Sequence, residues 1–128
     1  MITEDYVSFD TAKLLKEKGF MDGEIIKFFA SGYDKNGHIL SIRDTELDDY
    51  PRPTLQMAMK WLRKEHNLVI SASVTVDGWR TYVSQIKLDG EGFVVDIIDG
   101  IDDGNIPSYG TYEKSCEAAI KYCLKNLI

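Results

Sequence analysis

Residues 68–76, LVISASVTV, constrain this chain more than any other segment. Leu68, Ile70, Ala72, Val74 and Val76 alternate with Val69, Ser71, Ser73 and Thr75, which is the period of a half-buried strand. Asp77-Gly78 follows, a dipeptide suited to a two-residue hairpin turn because both central positions then take positive φ. Such a turn sets Val76 opposite Trp79, and with it Thr75 opposite Arg80, Val74 opposite Thr81, Ser73 opposite Tyr82, Ala72 opposite Val83 and Ser71 opposite Ser84. The face with Ala72, Val74, Trp79, Thr81 and Val83 is expected in the core. The other, with Ser71, Ser73, Thr75, Arg80, Tyr82 and Ser84, is expected to be wet. A turn at Asp89 to Gly92 leads to a third run, FVVDII, and a loop of odd length places Phe93, Val95 and Ile97 on the core face.

Three segments carry helical periodicity. Over 8–18, Ser8 caps a stripe of Phe9, Ala12 and Leu15, and Gly19 with Phe20 fits a left-handed ending in which Phe20 returns onto Leu15. Thr54 caps a second helix reaching His66, with Leu55, Ala58, Met59 and Leu62 on one stripe, Trp61 at its edge, Gln56, Lys60, Arg63 and Lys64 opposite, and Asn67 as its stop. The last helix spans about Thr111 to Leu127, with Tyr112, Cys116, Ala119, Ile120, Cys123, Leu124 and Leu127 inward. Between the first two helices, EIIKFFASGY and HILSI flank Asp34-Lys35-Asn36-Gly37, whose Asn-Gly signals a two-residue hairpin. Both runs read as strands, the first being partly ambiguous with helix over 24–31. Arg43 to Arg52 and DGIDDGNIPSYG (99–110) read as loops.

The resulting order is α-β-β-α-β-β-β-α, an α+β domain with helices on one face of an antiparallel sheet. At 128 residues a single domain is expected, with a helix and hairpin over 1–50 and an α-β-β-β-α part over 53–128. Hydrophobic residues at 44% supply a core without disulfide, metal or other cofactor. No apolar run matches a membrane helix and the first residues lack a secretion signal, so the expected compartment is the cytoplasm. Lys and Arg number 15 against 21 Asp and Glu, a formal charge of −6, which opposes non-specific binding to nucleic acid or anionic lipid. Cys116 and Cys123 lie about two helical turns apart, too far to pair, and read as small buried hydrophobes.

The sequence holds few candidates for chemistry. His38 and His66 are its only histidines, and neither belongs to a motif that pairs a nucleophile with a base. Asp99, Asp102 and Asp103, after Asp96, form the weak metal candidate, since oxygen-rich loops bind hard cations. Their spacing fails the EF-hand pattern, because Ile101 or Gly104 falls where a ligand is required. Asp44, Glu46, Asp48 and Asp49 are read as an ordinary acidic loop. The wet face of Ser71, Ser73, Thr75, Arg80, Tyr82 and Ser84 is the candidate binding site, since Tyr and Arg anchor interfaces.

From Pro53 to Leu127 the order helix, three strands, helix resembles double-stranded-RNA-binding domains, and GTYEKSCEAAIKYCLKNL is similar in layout to their final helix. In that family a lysine cluster opens this helix and grips phosphates; here Glu113, Lys114 and Glu117 stand there, so the gripping part is missing. YVSFDTAKLLKEKGF, PTLQMAMKWLRKEHNLVI and YEKSCEAAIKYCLKNLI, about 50 of the 128 residues, resemble small uncharacterised proteins from genomes and prophages of gut anaerobes. That resemblance implies a mobile-element accessory protein and carries over no functional residues. The expected function is non-enzymatic binding of a protein partner. The first alternative is RNA binding through a stripe of Lys60, Arg63, Lys64, Arg80 and Lys87, and the second is a metal-dependent enzyme using the Asp-rich loop. An exposed sheet edge allows a homodimer.

Overall fold

The computed structural model describes residues 4–20, 31–46, 48–89, 92–98 and 108–128. The expected ambiguity over 24–31 falls, but for Ser31, outside them. The elements are α1 (Phe9–Glu17), β1 (Ser31–Tyr33), β2 (Ile39–Ser41), β3 (Tyr50–Pro51), α2 (Leu55–His66), β4 (Leu68–Thr75), β5 (Gly78–Asp89), β6 (Gly92–Ile98) and α3 (Tyr112–Asn126). The architecture is α+β, and the helix, three strands, helix order of the C-terminal part is present. Instead of one sheet there are two antiparallel sheets, ordered β2-β1-β3 and β4-β5-β6. The residues group into two compact units, Met1–Ala58 and Met59–Ile128, with the division inside α2. The first turn of α2 belongs with the first unit because Leu55 N–H donates to Asp5 O at 2.9 Å and Val7 N–H to Pro53 O at 3.0 Å.

In the first unit α1 begins and ends as its sequence dictates. The Ser8 side chain accepts from Thr11 N–H, satisfying one of the helix's unpaired amides. At the other end Gly19 takes φ 95°, Phe20 N–H donates to Leu15 O at 2.9 Å and Gly19 N–H to Lys16 O at 3.1 Å, so the Phe20 ring is buried along with Leu15. The expected Asn-Gly hairpin is corrected. Only Gly37 of that pair has positive φ (82°), Tyr33 pairs with Ile39, and Asp34 organises the longer connection by accepting from the amides of Asn36 (2.8 Å) and His38 (2.9 Å). The Asp34 carboxylate is therefore held below its ordinary range, first by the His38 amide and also by that of Asn36.

The polar stretch before α2 is not loop throughout. Tyr50 and Pro51 form β3 beside β1, and Arg52 N–H donates to Ser31 O at 3.1 Å. Two residues are too few to show a period of two, so this strand is invisible to pattern reading. Proline sits there without penalty because an edge strand needs no outward N–H.

The second unit is built on the β4–β5 hairpin, and its register differs from the expected one. Thr75 pairs with Gly78, Val74 with Trp79, Ser73 with Arg80, Ala72 with Thr81, Ser71 with Tyr82, Ile70 with Val83 and Val69 with Ser84, so the connection is Val76-Asp77. Asp77 does not take positive φ, whereas Gly78 does, at 123°. The Thr75 hydroxyl holds the turn, donating to Gly78 O at 2.9 Å and accepting from Asp77 N–H at 3.2 Å. A shift of two residues leaves every residue on its expected face. The third strand is corrected more deeply. Its register pairs Ser84 with Ile97, Ile86 with Val95 and Leu88 with Phe93, so positions 93, 95 and 97 share the parity of Tyr82 and Ser84, not that of Val83.

Helix α3 covers the other face. The Thr81 hydroxyl donates to Ser115 O at 3.3 Å, Trp79 meets Tyr112 edge-on at 5.5 Å, and Val83 and Thr81 are buried. Ser115, Cys116, Ala119, Ile120, Cys123 and Leu124 are the buried stripe of α3, and each buried Leu or Ile side chain contributes about 2 kcal/mol. Val74, expected in this core, is 66% exposed, because β4 is an edge strand and its hairpin end runs past the helix-covered part. Tyr109, at the end of the expected 99–110 loop, bridges to Trp79 with two backbone bonds of 2.8 Å.

Candidate functional site

The β4–β5 ladder brings the six candidate residues to one face of the hairpin. Ser73 stands opposite Arg80 and Ser71 opposite Tyr82, with Thr75 toward the turn and Ser84 toward the far end. The face is less wet than expected: Ser71 and Ser73 are exposed, while Thr75, Arg80, Tyr82 and Ser84 are half-buried. Thr75 is committed to its turn. Arg80 reaches Asp77 with one terminal nitrogen at 3.4 Å, at the long end of hydrogen bonding, and its Nε is buried with no hydrogen-bond partner among the described residues. A guanidinium offers five donors, and among the described residues Arg80 gives one of them to a side chain. Ser73 stands opposite it in the ladder, and Ser71 and Tyr82 form the next pair on the same face. The arrangement is rich in donors and carries one fixed positive charge, the chemistry that recognises a carboxylate or a run of carbonyl oxygens.

Other candidates resolve differently. His38 Nδ1 lies 3.3 Å from Asp34 Oδ2, and His66 packs edge-on to Trp61 with ring centroids 4.8 Å apart. Both are accounted for by local structure. Asp99, Asp102 and Asp103 fall outside the described residues; among those described, no group of three or more His, Cys, Asp or Glu side chains is arranged to hold a metal. The acids of 44–49 serve turns: Asp44 accepts from the Ser41 hydroxyl at 2.9 Å, and Asp49 accepts from Glu46 N–H at 2.9 Å. In the basic stripe, Lys60, Arg63, Lys64 and Lys87 are exposed, but Arg80 and Lys87 differ in parity along β5 and so occupy opposite faces of the sheet.

A cluster that sequence reading missed lies in the first unit. The Phe9 ring meets Tyr33 at 5.5 Å and Tyr50 at 5.4 Å, Lys13 stands 4.7 Å from the Phe9 ring and Lys16 5.0 Å from that of Tyr50. Arg52 stacks 4.0 Å from the Tyr6 ring and donates to the Ser31 hydroxyl at 2.9 Å. These residues are scattered over some forty-odd positions, so no local spacing marks them. Each cation already has its aromatic face, worth about 0.5–1 kcal/mol at a surface, and the cluster ties α1 and β3 together.

Cys116 and Cys123 are free and fully buried. Burial pushes the Cys116 thiol up and the Cys123 thiol up to about 12. Native protein is expected to resist thiol reagents, with both cysteines labelling only in denaturant. The folded state holds the Cys123 proton more tightly than the unfolded chain, whose ordinary value is 9.0. Its contribution is therefore complete below pH 9 and is lost as the pH rises toward 12, so the urea midpoint should fall across that window. Replacing Cys123 with alanine should flatten this fall; an equally steep fall in that variant would assign it to other groups.

No helix among the described residues is long and apolar enough to cross a membrane. No protein family, no curated protein sequence and no solved structure matches the chain.

Proposed function

We propose that the chain is a non-enzymatic cytoplasmic accessory protein, of the mobile-element kind its helical segments resemble, and that it binds another protein through the polar face of the β4–β5 hairpin. The observation that carries this reading is Arg80, a half-buried guanidinium whose Nε has no partner and whose one ion-pair contact is at 3.4 Å among the described residues, on the same face as the exposed Ser71 and Ser73 and the half-buried Tyr82. A buried guanidinium Nε with no partner among the described residues is costly to an isolated domain, and an incoming carboxylate removes that cost. The division of Arg80 and Lys87 between opposite faces disfavours the RNA alternative, which needs its cations along one track.

The test is affinity capture from the source cells with the native chain, with Arg80→Ala/Tyr82→Ala, and with Lys60→Ala/Arg63→Ala on the exposed side of α2. A partner held by the native chain and the α2 variant, and weakened about 30-fold or more by the hairpin variant, supports the reading, since central Arg and Tyr anchors each carry about 2 kcal/mol. A partner retained in full by the folded hairpin variant removes it.

A further inference from the structure

The outer edge of β4 is the longest unpaired backbone among the described residues, and its sequence is a chemical palindrome. Ile86 N–H donates to Asn67 O, and Trp79 spends its own N–H and C=O on Tyr109 at the opposite edge of β5. These two bonds fix the alternation of the ladder: Val69, Ser71, Ser73 and Thr75 bond to β5, and Leu68, Ile70, Ala72 and Val74 aim their N–H and C=O groups outward. No described residue pairs with those outward groups. Read in either direction about Ala72, the strand gives a β-branched apolar residue, serine, alanine, serine and a β-branched apolar residue, Ile70-Ser71-Ala72-Ser73-Val74, and Val69 and Thr75 extend the match.

We infer that β4 pairs antiparallel with β4 of a second copy across a two-fold axis at Ala72. In this register Ile70, Ala72 and Val74 all find partners within β4: Ala72 meets Ala72 of the second copy, and Ile70 meets its Val74 twice over by symmetry. Each such pair exchanges two N–H···O bonds. On one face the 66%-exposed Val74 gains Ile70 of the other copy as a neighbour, an apolar pair of the kind that stabilises sheets; on the other, Ser71 stands opposite Ser73, where hydroxyls can bond. The small Ala72 at the axis allows close approach. Charge does not oppose the contact locally. The chain carries −6 overall, so two copies repel, yet Leu68–Thr75 contains no charged residue and brings no like charges together across the axis. Edges that stay single are protected by lysine, proline or inward charges, and this one has none. The product is a continuous six-strand sheet, β6-β5-β4 followed by its symmetric copy.

The experiment is sedimentation equilibrium of the full chain with amide exchange on the same samples, up to about 1 mM protein. The expected result is twice the 14.5 kDa chain mass at high concentration, with the Ile70, Ala72 and Val74 amides becoming protected as the dimer forms. Ala72→Lys places two like charges at the axis and should raise the dissociation constant about tenfold or more. Ala72→Pro removes an outward N–H that the isolated chain does not use, and should raise it about a hundredfold. A chain of single mass at every concentration overturns the inference and leaves the edge to a strand of some other protein. So does a dimer whose protected amides lie elsewhere, a reading that requires no variant to fold.

Discussion

Replacing Gly78 with alanine is expected to lower stability by about 3 kcal/mol. Two effects combine at this position. Its φ of 123° is one that side-chain-bearing residues rarely adopt, and a Cβ there would sit 2.6 Å from Tyr109 O. Neither relaxes cheaply, because the obstacle is backbone held by two 2.8 Å bonds to Trp79, itself the neighbour of Gly78 in the strand. Relief requires either opening the Trp79–Tyr109 bridge or rotating the turn that Thr75 holds. Urea unfolding measures the loss, and amide exchange at Trp79 and Tyr109 identifies its origin. A loss below about 1 kcal/mol would mean that the close approach of Tyr109 to the hairpin is not maintained in solution.

Phe20→Ala is expected to cost about 4 kcal/mol. The ring is fully buried, and its position follows from the glycine ending of α1, which returns the chain so that Phe20 N–H bonds Leu15 O. Truncation removes the transfer free energy of the ring and leaves a cavity where the ring was fully buried. Set against a total stability of roughly 5–15 kcal/mol, the loss should shift the urea midpoint far more than Lys13→Ala, which removes one exposed cation from the face of Phe9. Similar midpoints for the two variants would show that the first unit does not depend on this ending.

Local sequence carried most of the fold because most elements rest on local chemistry. Ser8, Gly19, Thr54, Asn67 and Thr111 each stop or start a helix through groups a few residues away, and the structure places Asn67 at φ 56° and Thr111 as the acceptor for Lys114 N–H. The six residues of the hairpin face were legible for a related reason: alternation fixes the face of a residue, and the two-residue slip in register preserved it. The turn departs from the Asp-Gly expectation because the Thr75 hydroxyl organises it.

What the sequence by itself determined, then, is the order of helices and strands and the assignment of Ser71, Ser73, Thr75, Arg80, Tyr82 and Ser84 to one face, both consequences of periods of 3.6 and 2.0 residues along the chain. The tertiary structure decided the rest. It made two sheets where one was expected, and it added β3 to the first, a strand that exists only through its bonds to β1. It reversed the parity of β6, because a strand's register depends on the length of the turn before it and not on its own alternation. It left Val74 exposed and the Arg80 Nε without a partner among the described residues, because burial depends on which neighbours reach a residue, and α3 covers only part of the sheet's other face.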